Sequence, residues 1–284
     1  MKRQPELTPR LRLLADWVPQ GAAFADVGTD HGCLPAWLIL RGRLRNCIAS
    51  DLRSAPLRHA KETARNWGAE GIQFRLCDGL SGIQPEEADV ISIAGLGGEN
   101  IAAILDRTPW TADGHHTLLL QPMTRAEVLR RFLADHGYAI RREALVLDRG
   151  ILYPVLEVTA GQMSLTLGQE YGGAALTRDP LEDRYLIETI LRLQNAVAGL
   201  NQASRCGPGA SVQTGIPVQP GIPLQFCIPV QTGAAEQTGK TGALTKQAAE
   251  KLQENREKAD HLRDIITELL SMREEWRHAN RAGN

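Results

Sequence analysis

Short apolar runs and longer amphipathic runs alternate over the first 160 residues of the chain. The apolar runs predict five buried strands, the first ending at Asp26 and the others at 46–50, 72–76, 88–98 and 117–120. Amphipathic runs predict helices at 7–18, 34–42, 54–67, 99–107 and 124–136. Thr8 and Pro9 suit the N-cap and the first position of the first helix. Two further β segments, 138–147 and 151–160, are joined by a short turn and predict an antiparallel hairpin.

The order of these elements predicts the fold. Five alternating strand and helix units followed by an antiparallel hairpin are typical of class I methyltransferases, which use S-adenosylmethionine (SAM). We therefore predict an α/β fold with a Rossmann-like, seven-stranded mixed sheet. A symmetric dinucleotide-binding fold fits this order less well.

The pattern changes after about residue 163. Apolar residues recur at alternating spacings of three and four residues along two segments, which is typical of helices that pack on each other. The segment between them, at about 201–243, contains a repeat of six residues (VQTGIP, VQPGIP, LQFCIP) and is predicted to be a disordered or polyproline-like linker. We predict a catalytic domain at 1–162 and a coiled-coil-like helical appendage at 163–284.

Composition limits the function classes. Lys and Arg number 32, Asp and Glu number 33, and the net charge of −1 gives no bulk electrostatic reason for nucleic-acid binding. The five cysteines are scattered without a CxxC pair, which indicates a reducing compartment and no zinc site. No apolar run approaches membrane-spanning length and the N-terminus lacks an apolar leader. We expect a cytoplasmic protein without a bound metal.

The loop after the first strand is the main candidate binding site. The stretch AFADVGTDHGCLP, at 23–35, reads as a strand, a tight turn and the start of a helix. It lacks the GxGxxG of a dinucleotide site, since Asp30 occupies the place of the second glycine, and fits better the acidic-x-Gly loop of SAM enzymes. The alternative is an ordinary strand-to-helix turn.

Carboxylates also follow the second and third strands. Asp51 is placed to accept hydrogen bonds from the two hydroxyls of a ribose, or else to cap the helix at 54–67. Asp78 and Gly79 form a turn that could close over an adenine, with Asp78 accepting from the exocyclic amine, although Asp-Gly is also a common turn. The fourth strand runs into a glycine-rich loop with Gly95 at the edge where open α/β sheets bind ligands.

These motifs together resemble one family, the bacterial tRNA (adenine-22-N1)-methyltransferases, known as the TrmK family. The resemblance rests on LTPRLRLLADWVPQGAAFADVGTDHGCLP, CDGL, ISIAGLGG and LLLQP, which lie within residues 7–160. The family also carries a C-terminal helical region of coiled-coil character. Met123 stands where the family usually has Asn, and the repeat-bearing linker is longer than expected. The fourth strand lacks the Asn/Asp-Pro-Pro-aromatic tetrad of enzymes that methylate exocyclic amines.

The resemblance implies SAM as the cofactor, tRNA as the partner and methylation of adenine N1 as the reaction. Asp30 becomes the candidate that stabilises the adenine as it turns cationic, or else caps the next helix or contacts the methionine amine. His31 is expected to orient the loop, and Leu96 to cover the base. The implied catalytic set is Asp30, Gln121 and Pro122, and the implied cofactor set is Asp26, Gly28, Thr29, His31, Asp51, Leu52, Asp78, Gly79, Ala94, Gly95 and Leu96.

Three clusters of basic residues are candidates for RNA contacts, although such clusters are often only solvated surface. We favour Lys2, Arg3, Arg10, Arg12, Arg125, Arg130 and Arg131. A monomer or a weak homo-oligomer through the helices is expected. The alternatives are a SAM-dependent methyltransferase for another substrate, a non-catalytic SAM-binding scaffold and, less favoured, an NAD-dependent oxidoreductase.

Overall fold

A single mixed sheet organises the first 160 residues. The computed structural model describes residues 6–176, 179–205 and 241–281, so Lys2, Arg3 and the repeat of the predicted linker lie outside the described residues. The strands are β1 Phe24–Val27, β2 Cys47–Asp51, β3 Ile72–Leu76, β4 Val90–Gly97, β5 Thr117–Thr124, β6 Tyr138–Asp148 and β7 Ile151–Ala160. They form a seven-stranded sheet in the order β3-β2-β1-β4-β5-β7-β6.

The described helices follow the strands in alternation and then continue beyond the sheet. They are α1 Pro9–Trp17, α2 Cys33–Leu40, α3 Ser54–Trp67, α4 Gly98–Asp106, α5 Ala126–Asp135, α6 Leu167–Gly172, α7 Glu182–Arg205 and α8 Thr241–Arg281. The predicted cap of α1 is confirmed, because the Thr8 hydroxyl accepts from the Leu11 amide. The sequence pattern missed α6, a short helix held by a capping box at Thr166.

The sheet direction confirms the predicted fold class. β1 to β5 run parallel to one another, and β7 lies between β5 and β6 and is antiparallel to both. The carboxyl ends of β1 to β5 therefore meet at one edge, where open α/β sheets bind ligands. β5 continues to Thr124, past the end predicted at 120.

Apolar side chains cover both faces of the sheet, as the continuous apolar runs predicted. On one face Ile91 and Ile93 of β4 pack with residues of α4 and α5 in a single buried cluster. On the other face Phe24 and Val90 pack with residues of α1 and α2. These two layers hold the strand ends, and thus the site built on them, in fixed positions.

The chain separates into two compact units, and the domain boundary at 163 stays a prediction. One unit holds the chain up to Ile190 together with the chain from Ile265 onward, and the other holds Leu191–Asp264. Within the first unit α6 lies close to the end of α8, and the Gly168 amide donates to the Glu268 carboxylate over 2.7 Å. A Cβ at Gly168 would lie 2.8 Å from the Glu268 Cβ, so this approach requires glycine.

Candidate active site

The loop between β1 and α2 is built around a buried carboxyl group. The Thr29 hydroxyl donates to Asp26 over 2.7 Å, and the amides of Gly28 and Thr29 both donate to the Ser50 carbonyl. Gly28 has φ of +73°, in the left-handed region that favours glycine. The loop is therefore fixed against the end of β2, with its backbone open to the sheet edge.

Burial changes the acidity of Asp26. Desolvation raises the pKa of this carboxyl from 3.8 to about 6, and the nearby Asp51 charge adds to the rise. The hydrogen bond from the Thr29 side chain acts in the opposite direction. A buried carboxylate of this kind gains from a cation placed nearby, because the cation replaces part of its lost hydration.

Asp51 ends β2 with its carboxylate held by backbone amides. The Arg53 amide donates to one oxygen over 2.8 Å, and the Asp30 amide approaches the other oxygen at 3.4 Å. The N-cap of α3 is Arg53, without a side-chain cap, so the alternative that Asp51 caps this helix is not what the structure has. Each oxygen of Asp51 keeps capacity to accept from a ligand.

Asp78 is paired across the cleft rather than free. Arg107, directly after α4, donates to both of its oxygens over 2.6 and 3.2 Å. This guanidinium lowers the pKa of the Asp78 carboxyl. Gly79 beside it has φ of +57°, and a Cβ there would lie 3.0 Å from the Ile104 side chain, so the turn requires glycine.

Asp30 lies on strained backbone at the mouth of the site. Its φ is +48°, which a residue other than glycine rarely adopts, and strain of this kind clusters at functional sites. Its side chain is 62% exposed, and His31 lies 3.6 Å from the carboxylate. His31 also stacks on His59. The N-cap of α2 is Gly32 and has no side-chain cap, so Asp30 does not cap that helix.

These elements enclose a cleft of about 610 Å³ at the carboxyl ends of β1, β2 and β4. Most of the predicted cofactor residues line it, as does Asp30. Those that do so are Gly28, Asp30, Asp51, Leu52, Asp78, Gly79, Ala94, Gly95 and Leu96. Asp26, Thr29 and His31 belong to the loop but do not line the cleft. A cavity of about 640 Å³ beside α6 contains none of the predicted site residues.

The sequence pattern missed one wall of the cleft. This wall is a face of α4 and its end, formed by Asn100, Ala103, Ile104 and Arg107. These residues are spaced 3, 1 and 3 apart, so they share one helix face. That spacing was visible in the sequence, but the helix was assigned no contact with a ligand.

Gln121 and Pro122 are buried and do not line the cleft. The Gln121 amide nitrogen donates to the Pro122 carbonyl over 2.9 Å, and its oxygen accepts from Arg10 over 2.7 Å. Both ends of this amide are thus used inside the protein. The arrangement favours a structural role for the pair over the predicted direct catalytic role.

The basic candidates fall into two groups. The prediction for Arg130 is wrong, because its side chain is fully buried and bonds to Glu143 and to the Glu170 carbonyl. Arg10 turns inward toward β5. In contrast, the side chains of Arg12, Arg125 and Arg131 are more than half exposed, although each is ion-paired. These three stay predictions for RNA contact.

Comparison with known proteins agrees with the fold. Residues 7–156 match the methyltransferase-domain family. The tRNA (adenine(22)-N(1))-methyltransferase of Bacillus subtilis (strain 168) is 34% identical over 182 residues, which cover 64% of this chain and 75% of the relative.

Two solved structures extend the likeness. The crystal structure of the B. subtilis m1A22 tRNA methyltransferase TrmK has a TM-score of 0.66 and 26% identity, covering 92% of this chain and 99% of that one. A Streptococcus pneumoniae protein proposed to be a tRNA (m1A22) methyltransferase, solved with SAM, has a TM-score of 0.60 and 34% identity, covering 70% of this chain and 91% of that one.

The fold and the cleft define a class I SAM-dependent methyltransferase. Within this class, the chain belongs to the tRNA (adenine(22)-N(1))-methyltransferase family. Among the described residues no helix is long and apolar enough to cross a membrane. The same residues contain no group of three His, Cys, Asp or Glu side chains placed to hold a metal ion.

Proposed function

We propose that this protein transfers a methyl group from SAM to N1 of adenine 22 in tRNA. The observation that carries the proposal is the cleft lined by Asp30, Asp51 and Asp78 in a chain of this family. The B. subtilis relative is named for this reaction. Bound SAM supplies a methyl group on a positively charged sulfonium, and the protein supplies the placement of both reactants.

The residues of the cleft fit the cofactor. The Asp51 carboxylate, held by two backbone amides, suits the hydroxyls of a ribose. Asp78 keeps lone pairs for an exocyclic amine beside its pairing with Arg107. Gly95 has open space where a Cβ would be, so a ligand can lie against its backbone. Asp26 does not line the cleft, but its buried charge in the adjoining loop favours a cationic ligand over a neutral one.

Adenine N1 lies on the Watson–Crick edge, so the base must be unpaired or flipped out to enter the cleft. The ring nitrogen already holds a lone pair, and the reaction therefore needs placement more than a strong base. Holding two reactants in line can supply roughly 7–11 kcal/mol of the barrier. In this proposal the Asp30 carboxylate accepts a hydrogen bond from the N6 amino group and stabilises the positive charge that develops on the adenine.

The exposed arginines Arg12, Arg125 and Arg131 are the proposed contacts to tRNA phosphates. Such contacts release counterions, so tRNA affinity is expected to fall steeply as salt rises. Since tRNA is the proposed substrate, the expected compartment is the cytoplasm. The oligomeric state stays a prediction of a monomer or a weak homo-oligomer.

The test incubates the purified protein with unmodified tRNA and SAM, and maps N1-methyladenine by the stop it causes in reverse transcription. A stop at adenine 22 is expected. Asp30→Asn is expected to lower kcat at least tenfold with the Kd for SAM nearly unchanged. Asp89→Asn, at an exposed position directly before β4, serves as the matched control. SAM binding without a stop at adenine 22 would overturn the proposed substrate. Equal losses of kcat and SAM affinity in Asp30→Asn would make it a cofactor residue.

A further inference from the structure

Arg10 lines the cleft but is bonded into the protein rather than presented to solvent. It stands at the start of α1, and 20% of its side chain is exposed. Its guanidinium donates to Asp148 of β6 over 2.8 Å and to Gln121 of β5 over 2.7 Å. The same group lies 3.0 Å from the Met123 sulfur and stacks over the Tyr153 ring of β7. One side chain therefore joins the last three strands of the sheet at the cleft.

The segment that Arg10 holds is the part of β5 that the sheet supports least. Pairing of β5 with β7 ends at Leu120. Pairing with β4 continues, but its register shifts on both sides of Leu96. Pro122 has no amide hydrogen to donate to either neighbour. From Gln121 onward, the position of β5 thus depends on contacts other than a regular ladder.

This segment lies on the acceptor side of the cleft. The carboxylates that suit the cofactor, Asp51 and Asp78, lie at the ends of β2 and β3, on the other side of β1 in the strand order. Met123 lines the cleft from the β5 side. When the cofactor is bound at the ends of β2 and β3, the β5 side of the cleft stays open for the second reactant.

We propose that Arg10 is a positioning residue that fixes the end of β5 as the wall against which the acceptor adenine is placed. It acts through Gln121 and Met123 and makes no contact with the reacting atoms. This inference rests on the proposed function for the identity of the acceptor. Misplacement of a reactant by about 1 Å can cost about 100-fold in rate.

The competing role for Arg10 is a direct contact to a tRNA phosphate, and lysine separates the two roles. Lysine keeps the positive charge that a phosphate requires. It offers a single ammonium in place of the guanidinium fork, so it cannot bond Asp148 and Gln121 in the same geometry. Arg10→Lys should therefore preserve phosphate binding and lose positioning.

The experiment compares Arg10→Lys with the matched control Arg184→Lys, an exposed arginine of α7 that does not line the cleft. For Arg10→Lys we expect kcat at least tenfold lower, with the KM for tRNA and the Kd for SAM within about twofold of wild type. Amide hydrogen exchange of the ligand-free protein should be faster at Gln121, Met123 and Thr124 and unchanged in β1. Wild-type kcat with a raised KM for tRNA, or unchanged exchange at these three amides, would overturn the inference.

A double-mutant cycle checks that Arg10 acts through Gln121. Gln121→Met keeps the approximate size and removes the acceptor. If both residues act through one contact, Arg10→Lys with Gln121→Met should lose little more kcat than Arg10→Lys alone. If the fold-losses in kcat of the two single variants multiply in the double variant, Arg10 does not act through Gln121. Hydrogen exchange needs no substrate, so it tests whether Arg10 fixes the end of β5 even if the protein does not methylate tRNA. Absence of tRNA methylation would refute the proposed function and not the role of Arg10.

Discussion

The charge of Asp26 is expected to strengthen cofactor binding at the expense of fold stability. Burial raises the pKa of this carboxyl from 3.8 to about 6. Between these two pH values the folded protein holds a proton that the unfolded chain has lost. The contribution of this carboxyl to the free energy of unfolding is therefore fully present below about pH 4, and it is lost as the pH rises through 6. A difference of about two pKa units corresponds to about 3 kcal/mol at neutral pH.

Asp26→Asn removes this charge while keeping the size and the oxygen that accepts from Thr29. We expect the variant to be more stable than wild type at pH 7.5, by up to about 3 kcal/mol, and nearly equal in stability at pH 3.5. Urea denaturation at the two pH values measures the difference. Asp16→Asn, at an exposed position of α1, should show no such pH-dependent gain.

Cofactor affinity should change in the opposite direction. In wild type the Kd for SAM should rise as the pH falls through about 6, because the carboxylate that favours a cation becomes neutral. Asp26→Asn should bind more weakly at pH 7.5 and should lose this pH dependence. Titration calorimetry from pH 5 to 8 measures both. If Asp26→Asn followed the wild-type curves for stability and for SAM affinity, the reasoning from burial would be refuted.

Two further predictions concern groups outside the cleft. Glu143→Ala leaves the buried Arg130 charge without its carboxylate, so it should lower the free energy of unfolding by about 3–5 kcal/mol. The control Asp16→Ala, at an exposed position, should lower it by at most about 1 kcal/mol in the same urea denaturation. Similar losses in the two variants would contradict this prediction. Burial, together with Asp179 and Glu143, raises the pKa of Glu182 to about 7, so stability should fall as the pH rises through 7. Glu182→Gln should flatten that fall in the same denaturation series, and an unchanged slope would count against it.

Local patterns were enough to predict most of the elements and many of the residues that line the cleft. The period of apolar residues is a property of neighbours in sequence, so strands such as β3 and helices such as α3 were predicted at their observed bounds. The parallel order then brings the ends of β1, β2 and β4 to one edge. This is why Asp51 and Gly95, far apart in sequence, could be assigned to one cleft before their distances were known.

Partners far away in sequence decided the rest. On its helix Arg130 has the pattern of an exposed residue, but Glu143 and the Glu170 carbonyl bury it. In the sequence Arg10 belongs to a basic cluster, but in the structure its guanidinium is bonded to Asp148 and Gln121.

The sequence by itself determined the alternation of strands and helices and the chemistry at the strand ends, because both follow from spacing along the chain. Only the tertiary structure decided which charged side chains reach solvent, which form ion pairs inside the protein, and where the compact units divide. Charge pairing depends on residues up to 138 positions apart, such as Arg10 and Asp148, and no local period carries that information.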